Sequence, residues 1–419
     1  MRRLVMLAIG ACLLASPASA QTPVAVTFDE AVARAIERHP TVARAAKAIL
    51  QAEAVIDQAR ALTRPSIDAT FVNATINERV AFDDATIAPR NQSTFSARAS
   101  LPVLAPARWA RVAQARDQVA IASASTAEVR QQIARAAAEA FLGVVAARRQ
   151  VEVDERALET GSAHLDYARR RLEGGVGSRL NMLRAAQEVS AAEARAESAR
   201  LALRQAQEAL GVLLVEDGPV DAAGTAALDV PGVVDESAWM AARPDLVTQG
   251  AIIRAAERVV RDSWKDVAPE GTLAFDPQYL TPAGLFQPSG TWRLSITVTQ
   301  PIFQGGLQRA VARGRQLTLD TQRIALTELE NQARADIRIA QAAVASFERT
   351  LEHSRQSARE AEEVLTITTT VFEVGATTNI ELIDAQRSAR DRETVVTITE
   401  NALQRARLQL LVALGRFPR

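Results

Sequence analysis

The chain has 419 residues, and its 49 Lys and Arg balance its 49 Asp and Glu, so the net charge is zero. This balance, the lack of a basic run and only three scattered histidines argue against a nucleic-acid-binding protein. Aromatic residues make up only 4% while alanine is abundant, which favours long, closely packed helices over a bulky globular core.

The first residues predict an export signal. Arg2 and Arg3 form a charged start, residues 4–15 are apolar, and small residues precede Gln21. This order is typical of a secretory leader. We predict a signal peptide over residues 1–20, cleaved between Ala20 and Gln21.

Cys12, the only cysteine, lies inside this leader. The residues before it faintly resemble a lipoprotein cleavage box, so lipidation of Cys12 is the alternative interpretation. With the leader removed, no cysteine is left for a disulfide or for thiol chemistry. No later run reaches the roughly 18 apolar residues of a membrane-spanning helix, so we expect any membrane contact to use strands or a lipid anchor.

The first half begins with a helix over residues 27–64 that breaks at His39 and Pro40. Apolar and polar residues then alternate around residues 67–71 and 94–101, which predicts two strands joined by a polar loop. A helix from residue 107 to 172 follows, roughly 100 Å long at 1.5 Å per residue. After a glycine-rich turn, another helix runs from residue 178 to 215.

The second half repeats this order. A helix passes Arg243 and Pro244, strands are expected around residues 272–276 and 292–299, and a long helix over residues 306–372 leads to a second turn and a last helix. We therefore predict an internal duplication: residues 21–215 as the first repeat, residues 216–235 as a linker and residues 236–419 as the second repeat.

The four strands allow two interpretations. Each alternates apolar and polar residues, and a four-stranded sheet of this kind has exposed edges. In a bilayer such strands must close into a barrel, which four strands from one chain cannot do but strands from several identical chains can. The alternative is a soluble hairpin domain that caps a coiled coil.

With both halves compared, the chain resembles the TolC-like outer-membrane efflux proteins. Three segments and the duplication carry the resemblance: FDEAVARAIERHP, TVTQPIFQGGLQRAVARGRQ and VFEVGATTNIELIDAQ. The resemblance implies a mainly α fold with a small β part. It implies a homotrimer in which four strands per chain contribute to a 12-stranded outer-membrane β-barrel, and long helical hairpins form an α-barrel through the periplasm.

The resemblance also implies the function and the partners. We expect an outer-membrane channel that passively conducts substrates for a tripartite efflux pump or a type I secretion system. The implied partners are a periplasmic adaptor, an inner-membrane pump of the RND, ABC or MFS type, and outer-membrane lipid. The alternative function is a periplasmic structural or adaptor-like coiled coil. We predict no enzyme, cofactor or metal site, since the sequence offers no phosphate loop, nucleophile elbow or usable thiol.

Glu381 and Asp384 match the acidic positions that ring the periplasmic constriction in this family. They stand three residues apart, on one helix face, where carboxylates from several subunits would favour cations and bind divalent blockers. The alternative is local: Glu381 completes a capping box with Thr378, and Asp384 pairs with Arg387.

The two turns match the motif to which adaptors are thought to bind. Simple turn chemistry, with glycine ending one helix and Ser or Thr capping the next, explains the same residues, and both roles are compatible. The family's closed state uses a Tyr and an Arg where this chain has Phe372 and Thr377, so we expect closure to be held differently or less tightly. The predicted tip residues are Gly175, Val176, Gly177, Ser178, Val374, Gly375, Ala376, Thr377 and Thr378.

Two arginines, Arg98 and Arg293, are expected on the polar face of their strands. They either line a lumen or pair with carboxylates such as Asp68 and Asp276.

Overall fold

The computed structural model describes residues 24–82, 85–232, 234–283, 285–286 and 288–418. The predicted signal peptide, its cleavage site between Ala20 and Gln21, and Cys12 lie outside the described residues.

The first half contains four helices and five strands among its described residues. Two of the helices are very long, and α3 alone has 68 residues. The elements are β1 (Val24–Val26), α1 (Phe28–Arg38), α2 (Pro40–Ala61), β2 (Ser66–Thr75), β3 (Val80–Phe82), β4 (Ala85–Ala88), β5 (Asn91–Leu104), α3 (Pro106–Glu173) and α4 (Arg179–Leu214).

The second half follows a similar order. A short 3-10 helix (Asp262–Val267) extends its second helix, and α7 has 67 residues. The remaining elements are β6 (Val220–Ala222), α5 (Glu236–Ala242), α6 (Pro244–Arg261), β7 (Glu270–Thr281), β8 (Gly290–Thr299), α7 (Leu307–Glu373) and α8 (Asn379–Ala413).

The predicted helix break of the first half lies at a proline, and the second half has a matching break. Pro40 occupies the first turn of α2, where its missing N–H costs nothing, and the Nδ1 atom of His39 accepts a hydrogen bond from the Thr41 amide at 3.2 Å. In the second half, Pro244 starts α6 in the same way. There Arg243 takes the place of the histidine and donates to Asp245 at 2.6 Å.

The described residues fall into two compact units that do not follow the sequence halves. The first comprises those within Met1–Ala31, Glu139–Ala226 and Arg355–Ile398, and it contains both hairpin turns. The second comprises those within Val32–Ala138, Ala227–Ser354 and Thr399–Arg419, and it contains the larger sheet. The sequence boundaries of the predicted repeats stay predictions.

In the first unit, alanines occupy much of the buried face of α4. Along α4 the buried positions include Ala185, Ala192, Ala196 and Ala199, spaced by the three, four and seven residues that keep one helix face inward. Such a narrow seam allows neighbouring helices to approach closely.

The second unit contains a four-stranded antiparallel sheet in the order β2-β5-β7-β8. The register aligns Ile67, Ala99, Phe275 and Leu294 across all four strands. The apolar positions of the alternating strands therefore fall on the same face of the sheet. One face is therefore apolar and the other is polar. The apolar face has these exposed large side chains: Ile67, Phe71, Phe95, Phe275, Tyr279, Trp292, Leu294, Ile296 and Val298.

Two small strand pairs were not predicted. β3 and β4 form a hairpin inside the loop between β2 and β5. β1 and β6 pair in parallel, so a strand lies within the predicted linker, with Val26 and Val220 fully buried. Among the described residues, no helix combines the length and the hydropathy needed to cross a membrane.

Candidate functional site: the two hairpin tips

The first tip joins α3 to α4 with a turn that requires glycine twice. Gly175 has a φ of +74°, a left-handed conformation that glycine adopts without strain. A Cβ on Gly177 would lie 2.6 Å from the Leu172 amide nitrogen. Ser178 then caps α4, because its side chain accepts a hydrogen bond from the Leu180 amide at 3.2 Å.

The second tip joins α7 to α8 with a similar turn and a different cap. Gly375 has a φ of +81°. The Glu381 carboxylate accepts from the Thr378 amide and the Thr378 hydroxyl accepts from the Glu381 amide, both at 3.3 Å. The hydroxyl of Thr377 also donates to Glu381. This reciprocal pair confirms the capping box.

Asp384 is exposed one turn further along α8. Its predicted local partner, Arg387, instead donates two hydrogen bonds to Glu188, at 2.6 and 2.8 Å. The pKa of Arg387 is raised first by its hydrogen bond to Glu188, and the nearby charge of Asp384 adds to the effect. Arg387 therefore links α8 to α4 rather than completing a local pair with Asp384.

Both tips present apolar side chains to solvent. Val176 is 72% exposed and Val374 is 76% exposed, and Leu180, Leu183 and Ile380 are also exposed. Small turn residues with exposed aliphatic side chains beside them leave room for another backbone to approach.

Phe372 is buried beneath the second tip and packs in a small core. Its ring centroid lies 5.3 Å from that of His164 and 5.7 Å from that of Tyr167, both on α3. Phe372 therefore stabilises the contact between the two hairpins by packing. It has no phenol hydroxyl with which to form the hydrogen bond that a tyrosine could make there.

His164 connects α3 to the first residue of α8. Its Nε2 atom donates to the Oδ1 atom of Asn379 at 2.8 Å, and both residues are buried. Burial lowers the pKa of His164 and outweighs the hydrogen bond to Asn379, which raises it. The neutral imidazole is thus the form that fits this site.

Sequence reasoning missed a charged cluster that joins α4 to α8. Glu188 is 7% exposed and bonds to Arg195 at 3.0 Å and to Arg387, and Arg390 lies 3.8 Å away. The sequence signal that could have indicated this cluster was the acidic residue Glu188, which lies among the buried alanine positions of α4. Burial opposes ionisation of Glu188, but the hydrogen bonds from Arg387 and Arg195 outweigh it and lower the pKa.

On the sheet, Arg98 pairs with Asp276 at 2.5 Å across β5 and β7, which confirms the predicted carboxylate partner. The register places Arg293 opposite Asp276 and Asp68 opposite Arg98, so four charges share the polar face. Whether these side chains line a lumen stays a prediction.

The comparison with known protein families gives one match. The sequence model described as "Outer membrane efflux protein" matches residues 31–214 and 242–416, which is most of the chain. No curated protein sequence matches significantly.

Several solved structures share the fold over nearly the whole chain. CusC, whose structures concern folding and transmembrane channel formation, has a TM-score of 0.82 at 17% identity and covers 94% of this chain and 93% of its own. The outer membrane protein VceC of Vibrio cholerae has a TM-score of 0.76 at 16% identity. The match covers 93% of this chain and 96% of VceC. The CmeC outer membrane channel of Campylobacter jejuni has a TM-score of 0.79 at 13% identity. The match covers 93% of this chain and 85% of CmeC.

Proposed function

The chain belongs to the outer membrane efflux protein family, and from that premise we propose that it is the outer-membrane exit duct of a tripartite efflux pump or a type I secretion system. Substrates pass through it passively, and an inner-membrane pump of the RND, ABC or MFS type supplies the energy. The duct itself carries out no chemistry.

The observation that carries this proposal is the in-register sheet with one exposed apolar face. On all four strands, the large apolar side chains of this face are exposed among the described residues. An exposed apolar face suits contact with lipid. Among the described residues, the outer strands β2 and β8 each pair with one neighbour. In a bilayer these edges must pair, and three copies joined edge to edge supply a closed 12-stranded barrel.

The long helices support the periplasmic part of the duct. α3 and α7 are each roughly 100 Å long, far beyond the usual 11–12 residues of a globular helix. The narrow alanine seam of α4 supports close packing in the wall of a homotrimeric α-barrel.

The tips carry two proposed roles. Glu381 and Asp384 would ring the periplasmic constriction, which favours cations. The turn residues and the exposed Val176 and Val374 would receive a periplasmic adaptor. The engagement of Glu381 in a helix cap is compatible with the first role, because the cap fixes the carboxylate at the tip.

The alternative, a periplasmic adaptor-like coiled coil, finds no support in the family match or in the related structures. Membrane fractionation with heat-resistant trimer analysis tests the proposal, followed by conductance measurements in planar bilayers. We expect an outer-membrane trimer that forms ion-conducting pores. A soluble monomeric product without conductance would overturn the proposal.

A further inference from the structure

A polar cleft of about 480 Å³ lies between the two hairpin tips. Among the described residues that line it there is no aspartate or glutamate. Its polar lining includes Arg171, Ser178, Asn181, Arg184, Thr378 and Asn379, with Tyr167 and Thr377 beside them.

The two arginines of the cleft have no acidic partner in the part of the chain that the structure describes. Arg171 donates to the hydroxyl of Tyr167 at 3.4 Å and lies 5.7 Å from the centre of that ring. Arg184 makes no ion pair with a described carboxylate. By contrast, the three arginines around Glu188 in the same unit share a buried carboxylate as an ion-pair partner.

Asn379 supplies an unused donor. The residue is 3% exposed, and its Oδ1 atom accepts from His164. Its Nδ2 atom is buried and has no hydrogen-bond partner among the described residues. A buried donor left unsatisfied is destabilising, so an acceptor in the cleft would remove that penalty.

The start of α4 adds a further positive contribution. The first four N–H groups of a helix carry partial positive charge, and α4 has no acidic residue in its first turn. The start of α8 differs, because Glu381 folds back onto its cap. Asn181 and Arg184 occupy the positions in the first tip that Glu381 and Asp384 occupy in the second.

We propose that this cleft binds an oxyanion, either a carboxylate or a phosphate group. Arg171 and Arg184 would neutralise its charge, and Nδ2 of Asn379 would donate to one oxygen. Two sources offer this chemistry: a free periplasmic anion, or an acidic side chain of the partner that docks on the tips. The second source rests on the proposed function.

Arginine-specific modification with phenylglyoxal, followed by mass spectrometry of the full-length trimer, tests the site. Inorganic phosphate should slow modification of Arg171 and Arg184 relative to chloride at equal ionic strength. We expect about threefold protection with phosphate at about twice its Kd. Arg170 is the internal control, because it lies at the same helix end, is exposed and does not line the cleft. Arg184→Gln should remove most of the phosphate protection at Arg171.

A second arm uses a helical-hairpin peptide with one glutamate in its turn, and the same peptide with glutamine. Protection by phosphate alone identifies a free-anion site, and stronger protection by the glutamate peptide identifies an acidic partner residue. If neither probe protects, or if all three arginines respond equally, the proposal is wrong. Conductance of the same preparations separates that outcome from failure of the proposed channel function.

Discussion

Three arginines of the first unit converge on the carboxylate of Glu188. An ion pair so little exposed contributes only when its charges and hydrogen bonds are satisfied together. Removing the carboxylate would leave three guanidinium groups without their shared buried anion, and two of them belong to α8. The cluster therefore holds the two hairpins together just above their tips.

We expect Glu188→Gln to destabilise the protein by about 2–3 kcal/mol, below the 3–5 kcal/mol of a fully buried pair because Arg387 is half exposed. Glu155→Gln is the matched control, since Glu155 makes an exposed ion pair with Arg200 at 2.7 Å. Thermal unfolding followed by circular dichroism measures both. Equal losses in the two variants would contradict the prediction.

The lowered pKa of Glu188 also predicts how the stability of the protein changes in acid. Because the pKa of Glu188 lies below its ordinary value of 4.5, its stabilising contribution is present above that value. The contribution is lost as pH falls through the lowered, folded-state pKa. The Glu188→Gln variant should therefore show a weaker loss of Tm in this acidic range than the unaltered protein.

His164 predicts a second pH effect, in a milder range. Burial lowers its pKa, so the unfolded chain takes up the proton first as pH falls below about 6.5. Stability should decline from there until pH passes the folded-state pKa. His164→Gln keeps a donor for Asn379 without a titrating group, and should flatten the Tm profile as pH falls below about 6.5. His353→Gln, at an exposed position, should leave the profile unchanged.

At the scale of the element, β8 contains neighbouring residues on opposite faces of the sheet. Ile296 belongs to the exposed apolar face, and Thr297 points to the polar face. If the apolar face meets lipid, Ile296→Arg should cost roughly 2–4 kcal/mol near the bilayer midplane, whereas Thr297→Arg should be tolerated. The yield of heat-resistant trimer from outer membranes measures the difference. Similar yields from both variants would exclude a lipid-facing apolar surface.

Periodicity predicted the long elements well. The two long helices, the break at Pro40 and the alternation of the four strands follow from patterns in the sequence, whereas the break at Pro244 was not predicted. The parallel pair of β1 and β6 could not be predicted, because three-residue strands give too short a pattern and their pairing joins residues about 200 apart. The β3–β4 hairpin was not predicted either, because its strands are also too short to show a pattern.

At the tips, local chemistry was predictable and contact between the hairpins was not. Glycine, serine and threonine at fixed offsets indicated both turns and the capping box of Glu381. The buried pair of His164 and Asn379 joins residues 215 positions apart, and no local spacing indicates such a contact. The choice of Glu188 as the partner of Arg387 depends equally on which helix faces meet.

For the whole molecule, the two tips of one chain differ in charge. The first tip has Arg184 where the second has Asp384, and Asn181 where the second has Glu381. In the proposed homotrimer, basic and acidic tips would alternate around the ring. Such a ring would have one set of acidic residues per subunit, so the selectivity of the proposed pore would depend on the second tip.

Glu381→Gln combined with Asp384→Asn tests this dependence without removing the helix cap, because glutamine also completes a capping box. We expect a loss of cation selectivity in planar bilayers. Block by Mg²⁺ or Ca²⁺ should need about tenfold higher concentration, equivalent to about 1.4 kcal/mol of lost attraction. Glu373→Gln, an exposed acid at the same tip, is the control and should change selectivity little. If the double variant keeps the selectivity and block of the unaltered trimer, Glu381 and Asp384 do not line the constriction, and their role is limited to the structure of the tip.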